Sequence, residues 1–155
     1  FFGLPGAGKS HCGRLAQELG YVFHDGDAWL PEDLKASLSR GEGFTPEQRD
    51  RYAATIAENI QEVKLLEASR PDGARPIAVA QATFKRRHRA LIQSVHADLL
   101  FVWVQSSEDL RLSRLRAGGN LVDEELGRRM AQDFEEPKDE YVQVVINGAA
   151  SDGLL

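Results

Sequence analysis

Cysteine is almost missing from this chain: Cys12 stands alone, so no internal disulfide can form, and a reducing, cytoplasmic setting is the expectation. Long apolar runs are missing too. None approaches the ~20 residues that span a bilayer, and no stretch has the make-up of a secretory leader. An excess of positive charge is lacking: 19 basic against 24 acidic residues give a net charge of −5. That balance argues against a surface built to coat nucleic acid or to rest on a membrane. The four histidines at 11, 24, 88 and 96 show no metal-ligand spacing. Repeats and low-complexity tracts are absent.

What remains is ordinary globular material, 155 residues with 42% hydrophobic and 28% charged side chains. That length fits one core, so residues 1–155 are expected to form one domain. No Met opens the chain, and only Phe1-Phe2 precede Gly3. Phe1-Phe2 are therefore expected to end a first strand that begins outside this sequence, with the C-terminal end cut short as well.

Strand-like and helix-like stretches alternate along the chain. Cys12, Leu15, Ala16 and Leu19 recur at helical spacing before Gly20. Tyr21 to His24 is a short β-rich run, and Pro31 to Arg40 a short helix closed by Gly41. Thr45-Pro46-Glu47-Gln48 has the hydroxyl, proline and glutamine of a helix start, and Tyr52, Ile56, Ile60 and Val63 then share one face. Further strands are expected at Pro76–Ala80, Leu99–Val104 and Tyr141–Ile146. Helices are expected at Phe84–Val95, from Ser107 to about Ala117, and at Asp123–Phe134. Such alternation predicts a three-layer α/β/α sandwich on a parallel sheet, where ligands bind at the carboxyl ends of the strands.

Three such strand ends carry chemistry. GLPGAGKS, from Gly3 to Ser10, fits the phosphate-loop pattern, in which backbone amides at a helix start surround a polyphosphate. Lys9 supplies a cation to the β- and γ-phosphates, and Ser10 offers its hydroxyl to Mg²⁺. Pro5, Gly6, Ala7, Gly8 and His11 complete the expected nucleotide contacts. Asp25-Gly26-Asp27 follows the next strand. It reads either as an Asx-type turn or as one carboxylate for the metal and one, Asp27, for a substrate hydroxyl. The basic run Lys85-Arg86-Arg87-His88-Arg89 reads either as a solvated face or as an anion site using Lys85 and Arg89, one turn apart. Arg111, Arg114, Arg116, Arg128 and Arg129 flank Gly118-Gly119-Asn120. They read as surface arginines or as a segment that closes over a nucleotide. Trp29 and Trp103 read first as packing residues, although Trp29 is near enough to Asp27 in sequence to line a pocket.

In order along the chain, GLPGAGKS, DGDAWLP, SRGEGFTPEQRDRY, ATFKRRHRALI, FVWVQ, SRLRAGG and FEEP resemble the gluconate kinase family, relatives of the shikimate kinases. The resemblance covers essentially the whole chain, although only GLPGAGKS is specific by itself. It implies a P-loop NTPase fold with a five-stranded parallel sheet of order 2-3-1-4-5, a helical lid, and ATP and Mg²⁺ as cofactors. The implied reaction moves the γ-phosphoryl group to a hydroxyl of a sugar acid or related polyol. Lys9 and Ser10 would serve ATP-Mg²⁺, Asp25 would stand near the metal, and Asp27 would approach the acceptor. Arg49 and Arg89 would hold the acceptor, and Arg114 would lie by the adenine.

The chain departs from the family pattern at three places. Leu30 replaces the histidine that follows the DGD motif, and Arg51-Tyr52 stands where the family has a Pro-Trp pair. Gly118-Gly119-Asn120 aligns where the lid arginine is usual, leaving Arg116 as its substitute and as a candidate catalytic cation. The expected partner is a small anionic or polyol acceptor, with no nucleic acid and no membrane; a homodimer stays open. Two other readings also stay open: a nucleotide-binding regulatory or degenerate module without phosphotransfer, and a nucleoside or polynucleotide kinase.

Overall fold

A computed structural model describes residues 1–148; the last residues of the expected domain, 149–155, lie outside the described part. Among the described residues there are four strands and six α-helices, with helices between successive strands. Helix α1 (Lys9–Glu18) leads to β1 (Val22–Asp25), a single turn of 3-10 helix (Gly26–Trp29), α2 (Glu32–Ser39) and the long α3 (Pro46–Ala68). Then come β2 (Ile77–Ala80), α4 (Arg86–Val95), β3 (Phe101–Gln105), α5 (Glu108–Arg116), α6 (Glu124–Gln132) and β4 (Val142–Ile146).

Local chemistry accounts for the helix starts. Thr45 accepts from the Gln48 amide while the Gln48 side chain accepts from the Thr45 amide, a closed capping box with Pro46 in the first turn. Ser107 and Asp123 cap α5 and α6 through their side-chain oxygens. Strand β3 starts at Phe101, later than its apolar run suggests. Leu99 and Leu100 instead follow the turn after His96, and Leu100 is exposed.

The strands pair in parallel, β1 with β2 and β3 with β4. Between the pairs lies Phe1-Phe2. The Phe1 amine donates to Val79 O and the Gln81 amide to Phe1 O; on the other side Phe2 N–H donates to Val102 O and Val104 N–H to Phe2 O. The Phe2 side chain is 1% exposed, edge-on to Phe101 and stacked near Trp103 and Phe134. Burial of a ring this size stabilises by ~1.5–3 kcal/mol. The core continues through Leu34, Ile56, Ile60, Ile92 and Leu126, and Tyr52, Ile56, Ile60 and Val63 all face it from α3. The carboxyl ends of β1 and β2 and the turn after Phe2 therefore open on the same side.

Candidate active site

The phosphate loop is held from behind by its own carbonyls. Leu4 O accepts from Lys9 Nζ at 3.0 Å, Pro5 O from Arg111 at 3.2 Å, and Gly6 O from Arg114 at 3.0 Å. Ala7 O accepts from Asn147 Nδ2 at 2.9 Å and from Arg114 at 3.3 Å. With the carbonyls tied back, the amides are left to face an anion. Gly6 makes this possible: its φ is +77°, and a Cβ there would sit 2.5 Å from Arg111 O. Gly8 precedes α1 in the left-handed region, and no side chain caps that helix. Its first-turn N–H groups and the positive end of its dipole are thus open to phosphate oxygens.

Facing the loop is the turn after β1. Asp25 accepts from the Ser10 hydroxyl at 2.6 Å through Oδ2 and from the Asp27 amide at 3.1 Å through Oδ1. Tyr52, from α3, donates its phenol to Gly26 O at 2.5 Å, which fixes the turn against the long helix. Burial keeps the Tyr52 phenol from ionising. Asp27 is open to solvent at the cavity yet flanked by protein and by the charge of Asp25; partial desolvation above all pushes its carboxyl upward, with Lys9 opposing. Burial lowers Lys9 to about 8, against the pull of Asp27 and Asp25. A lysine whose proton is loosened and a carboxyl whose proton affinity is raised suit groups that meet an incoming phosphate and hydroxyl.

Loop and turn share one cavity of about 560 Å³, bounded by Lys9, Ser10, Asp25, Asp27, Arg49 and Arg114 among others. Of the expected nucleotide contacts, Pro5, Gly6, Gly8, Lys9, Ser10 and His11 border it; Gly3 and Ala7 shape the loop from inside. Arg114 borders the cavity from behind the loop, bonded to loop carbonyls and to the Ser106 hydroxyl. Arg49 reaches it as well, pairing with Asp133 at 2.8 Å and lying over the Phe84 ring at 4.9 Å.

Three expectations are corrected. Arg89 does not face the cavity. It is 1% exposed, paired with Glu140 at 2.7 Å, and donates to Thr83 O, Phe84 O and Glu135 O beneath the Phe2 ring. Its planar fork had more backbone acceptors inside the fold than an acceptor molecule could offer. Lys85 is likewise outside, turned to Glu135 at 3.5 Å. Arg116 is drawn off to Glu124 at 2.7 Å, which also holds Arg128, so it does not border the cavity. Trp29 packs, as first expected, stacking on His24 and not bordering the cavity.

Sequence reasoning missed several neighbours of the site. Gln81, Thr83 and His88 line the cavity, and His88 Nε2 meets Asp50 at 2.6 Å. Position just after β2 was their signal. Asn147, which braces Ala7, follows β4 and had none. Among the described residues no group of three or more His, Cys, Asp or Glu is placed to hold a metal by itself. Nor is any helix long and apolar enough to cross a membrane.

Comparison with known proteins follows this geometry. The structure matches a gluconokinase from Sinorhizobium meliloti with a TM-score of 0.74 and 27% identity, over 97% of this chain and 81% of that one. The chain is similar to the gluconate kinases. A sugar kinase from Janibacter shares the fold at TM-score 0.73 and 19% identity, over 95% of this chain and 82% of its own. So does an APS kinase of Mycobacterium tuberculosis, solved with AMPPNP and APS, at 0.59 and 20%, over 97% and 86%. No protein-family model matches the chain, and no curated protein does. The gluconate kinase-like chain thus has the architecture of a P-loop small-molecule kinase.

Proposed function

We propose that this chain transfers the γ-phosphoryl group of ATP to a hydroxyl of a small acceptor of the sugar acid and polyol class. The observation that carries the reading is the shared cavity. On one wall stand the loop amides and Lys9, and on the other Asp27, whose carboxyl is pushed upward by partial desolvation. Asp27 would accept the proton of the attacking hydroxyl, or orient that hydroxyl, while Lys9 offsets charge on the transferring group. The Ser10 hydroxyl and Asp25 carboxylate, 2.6 Å apart, are hard oxygen donors of the kind Mg²⁺ takes, and they would hold it beside the loop. When bound, that ion would offset phosphate charge. Phe1-Phe2, bonded to both strand pairs, would be the central strand of a sheet ordered 2-3-1-4-5.

Lys9→Ala tests the assignment. Acceptor-dependent ADP release should vanish while the melting transition survives; transfer retained in this variant refutes the role of Lys9. One observation favours the alternative of a module that binds nucleotide without transfer: Arg116 is bound to Glu124, and Asn120, Leu121 and Val122 bring no charge to the cavity. ATP binding without acceptor-dependent ADP release would decide for it.

A further inference from the structure

The charges around the cavity are arranged unevenly. On the phosphate-loop side Lys9 and Arg114 donate to backbone carbonyls and to a hydroxyl, with no carboxylate among their hydrogen-bond partners. On the other side each cation near the pocket already has its carboxylate. Arg49 pairs with Asp133, Arg87 with Asp50, Lys85 turns to Glu135, and Arg89 is closed on Glu140. The wall there is apolar, with Leu30, Leu38, Phe44, Val122 and Met130 facing the cavity.

The hydrogen-bonding groups left on that wall are uncharged. Gln81 and Thr83 are neutral, and burial pushes His88 toward its neutral form. An ionised Asp50 only accepts, so His88 Nε2 carries the proton and Nδ1 is an acceptor. Among the described residues the acidic side chains that border the cavity are Asp25 and Asp27, side by side in the turn after β1. A carboxylate on the acceptor would therefore meet apolar carbon, cations already paired, and the carboxyl groups of Asp25 and Asp27.

We infer that the acceptor is a neutral alcohol with an apolar part, seated between Asp27 and the Leu30–Phe44–Met130 wall, an inference that rests on the kinase reading above. Its hydroxyl lies toward Asp27 and its other polar groups meet Gln81, Thr83 and His88. A sugar acid would have to displace Asp133 from Arg49 before it could be held, so within the proposed class the neutral members are favoured.

The test is phosphorylation of matched pairs by the full-length protein with ATP-Mg²⁺: shikimate against methyl shikimate, and gluconate against gluconamide and sorbitol. The neutral member of each pair should show the higher kcat/KM by about tenfold or more, the worth of one charge-assisted hydrogen bond. Asp133→Asn should then move the ratio toward the acid by a similar factor. Asp133 is 55% exposed, so its replacement leaves folding intact. Higher kcat/KM for the acids in the wild type overturns the inference and keeps the kinase reading. An unmoved ratio in Asp133→Asn removes the Arg49 pair as the cause and overturns the argument built on it. If neither class is phosphorylated although an ATP analogue binds, the kinase reading fails, and this inference with it.

Discussion

Replacing Arg89 by Met separates a substrate-binding arginine from a structural one. The side chain is 1% exposed and makes two bonds to Glu140, at 2.7 and 2.8 Å, plus donations to Thr83 O, Phe84 O and Glu135 O. Methionine fills much of the same volume but leaves three carbonyls without this donor and Glu140, 15% exposed, without its cation. Removing one partner of a buried pair costs ~3–5 kcal/mol, because the charge left behind is uncompensated. For a domain of this size each kcal/mol lowers Tm by ~2–4 °C, so the expected drop is roughly 6–20 °C.

Two measurements check it. Calorimetry or circular dichroism gives the fall in Tm, and a double-mutant cycle with Glu140→Gln isolates the pair. The double variant should recover part of the loss, since no charge is then stranded. Steady-state kinetics on the folded fraction should show acceptor KM within about threefold of wild type, the scale of a change in packing alone. The reasoning is refuted if Arg89→Met melts within about 2 °C of wild type, a loss of under ~1 kcal/mol, while acceptor KM rises more than tenfold.

Gly6→Ala forces a Cβ to within 2.5 Å of Arg111 O at a φ of +77°, so the loop must shift. ATP affinity should fall by tenfold or more, roughly 1.4 kcal/mol or greater, in a competition assay with a fluorescent nucleotide; unchanged affinity would mean that the loop is not the nucleotide site. Lys9, lowered to about 8, predicts a pH signature. In the free protein the folded state holds fewer protons than the unfolded between about 8 and the ordinary lysine value of 10.5, so stability rises with pH across that window. A polyphosphate needs the charged form. Each nucleotide bound above pH 8 therefore takes up a proton, and affinity should fall by up to about tenfold per pH unit there. Lys9→Met should flatten this slope in calorimetric titrations run in buffers of different ionisation enthalpy.

The shape of the phosphate loop was legible in the sequence because it is local. Gly6, Gly8, Lys9 and Ser10 lie on one turn and the start of one helix, and their spacing alone dictates a loop that presents amides. The helix starts were legible for the same reason: Thr45 and Gln48, Ser107, and Asp123 each act within one turn. Strand boundaries were softer, as with Leu99 and Leu100, whose apolar character did not keep them in β3.

The acceptor half was not legible, and its ion pairs say why. Arg49 meets Asp133, His88 meets Asp50, and Arg89 meets Glu140, pairs separated by 84, 38 and 51 residues. In the sequence the run from Lys85 to Arg89 is a block of cations, and a block of cations invites an anion. Folding brings Glu135 and Glu140, from the segment after α6, and Asp50, from α3, against that block. What read as an anion site becomes a brace that ties α4 to the core. The cavity keeps its cations where polyphosphate would enter and loses them where the acceptor would sit. A substrate's charge is therefore set here less by which residues border the pocket than by which of them are already paired.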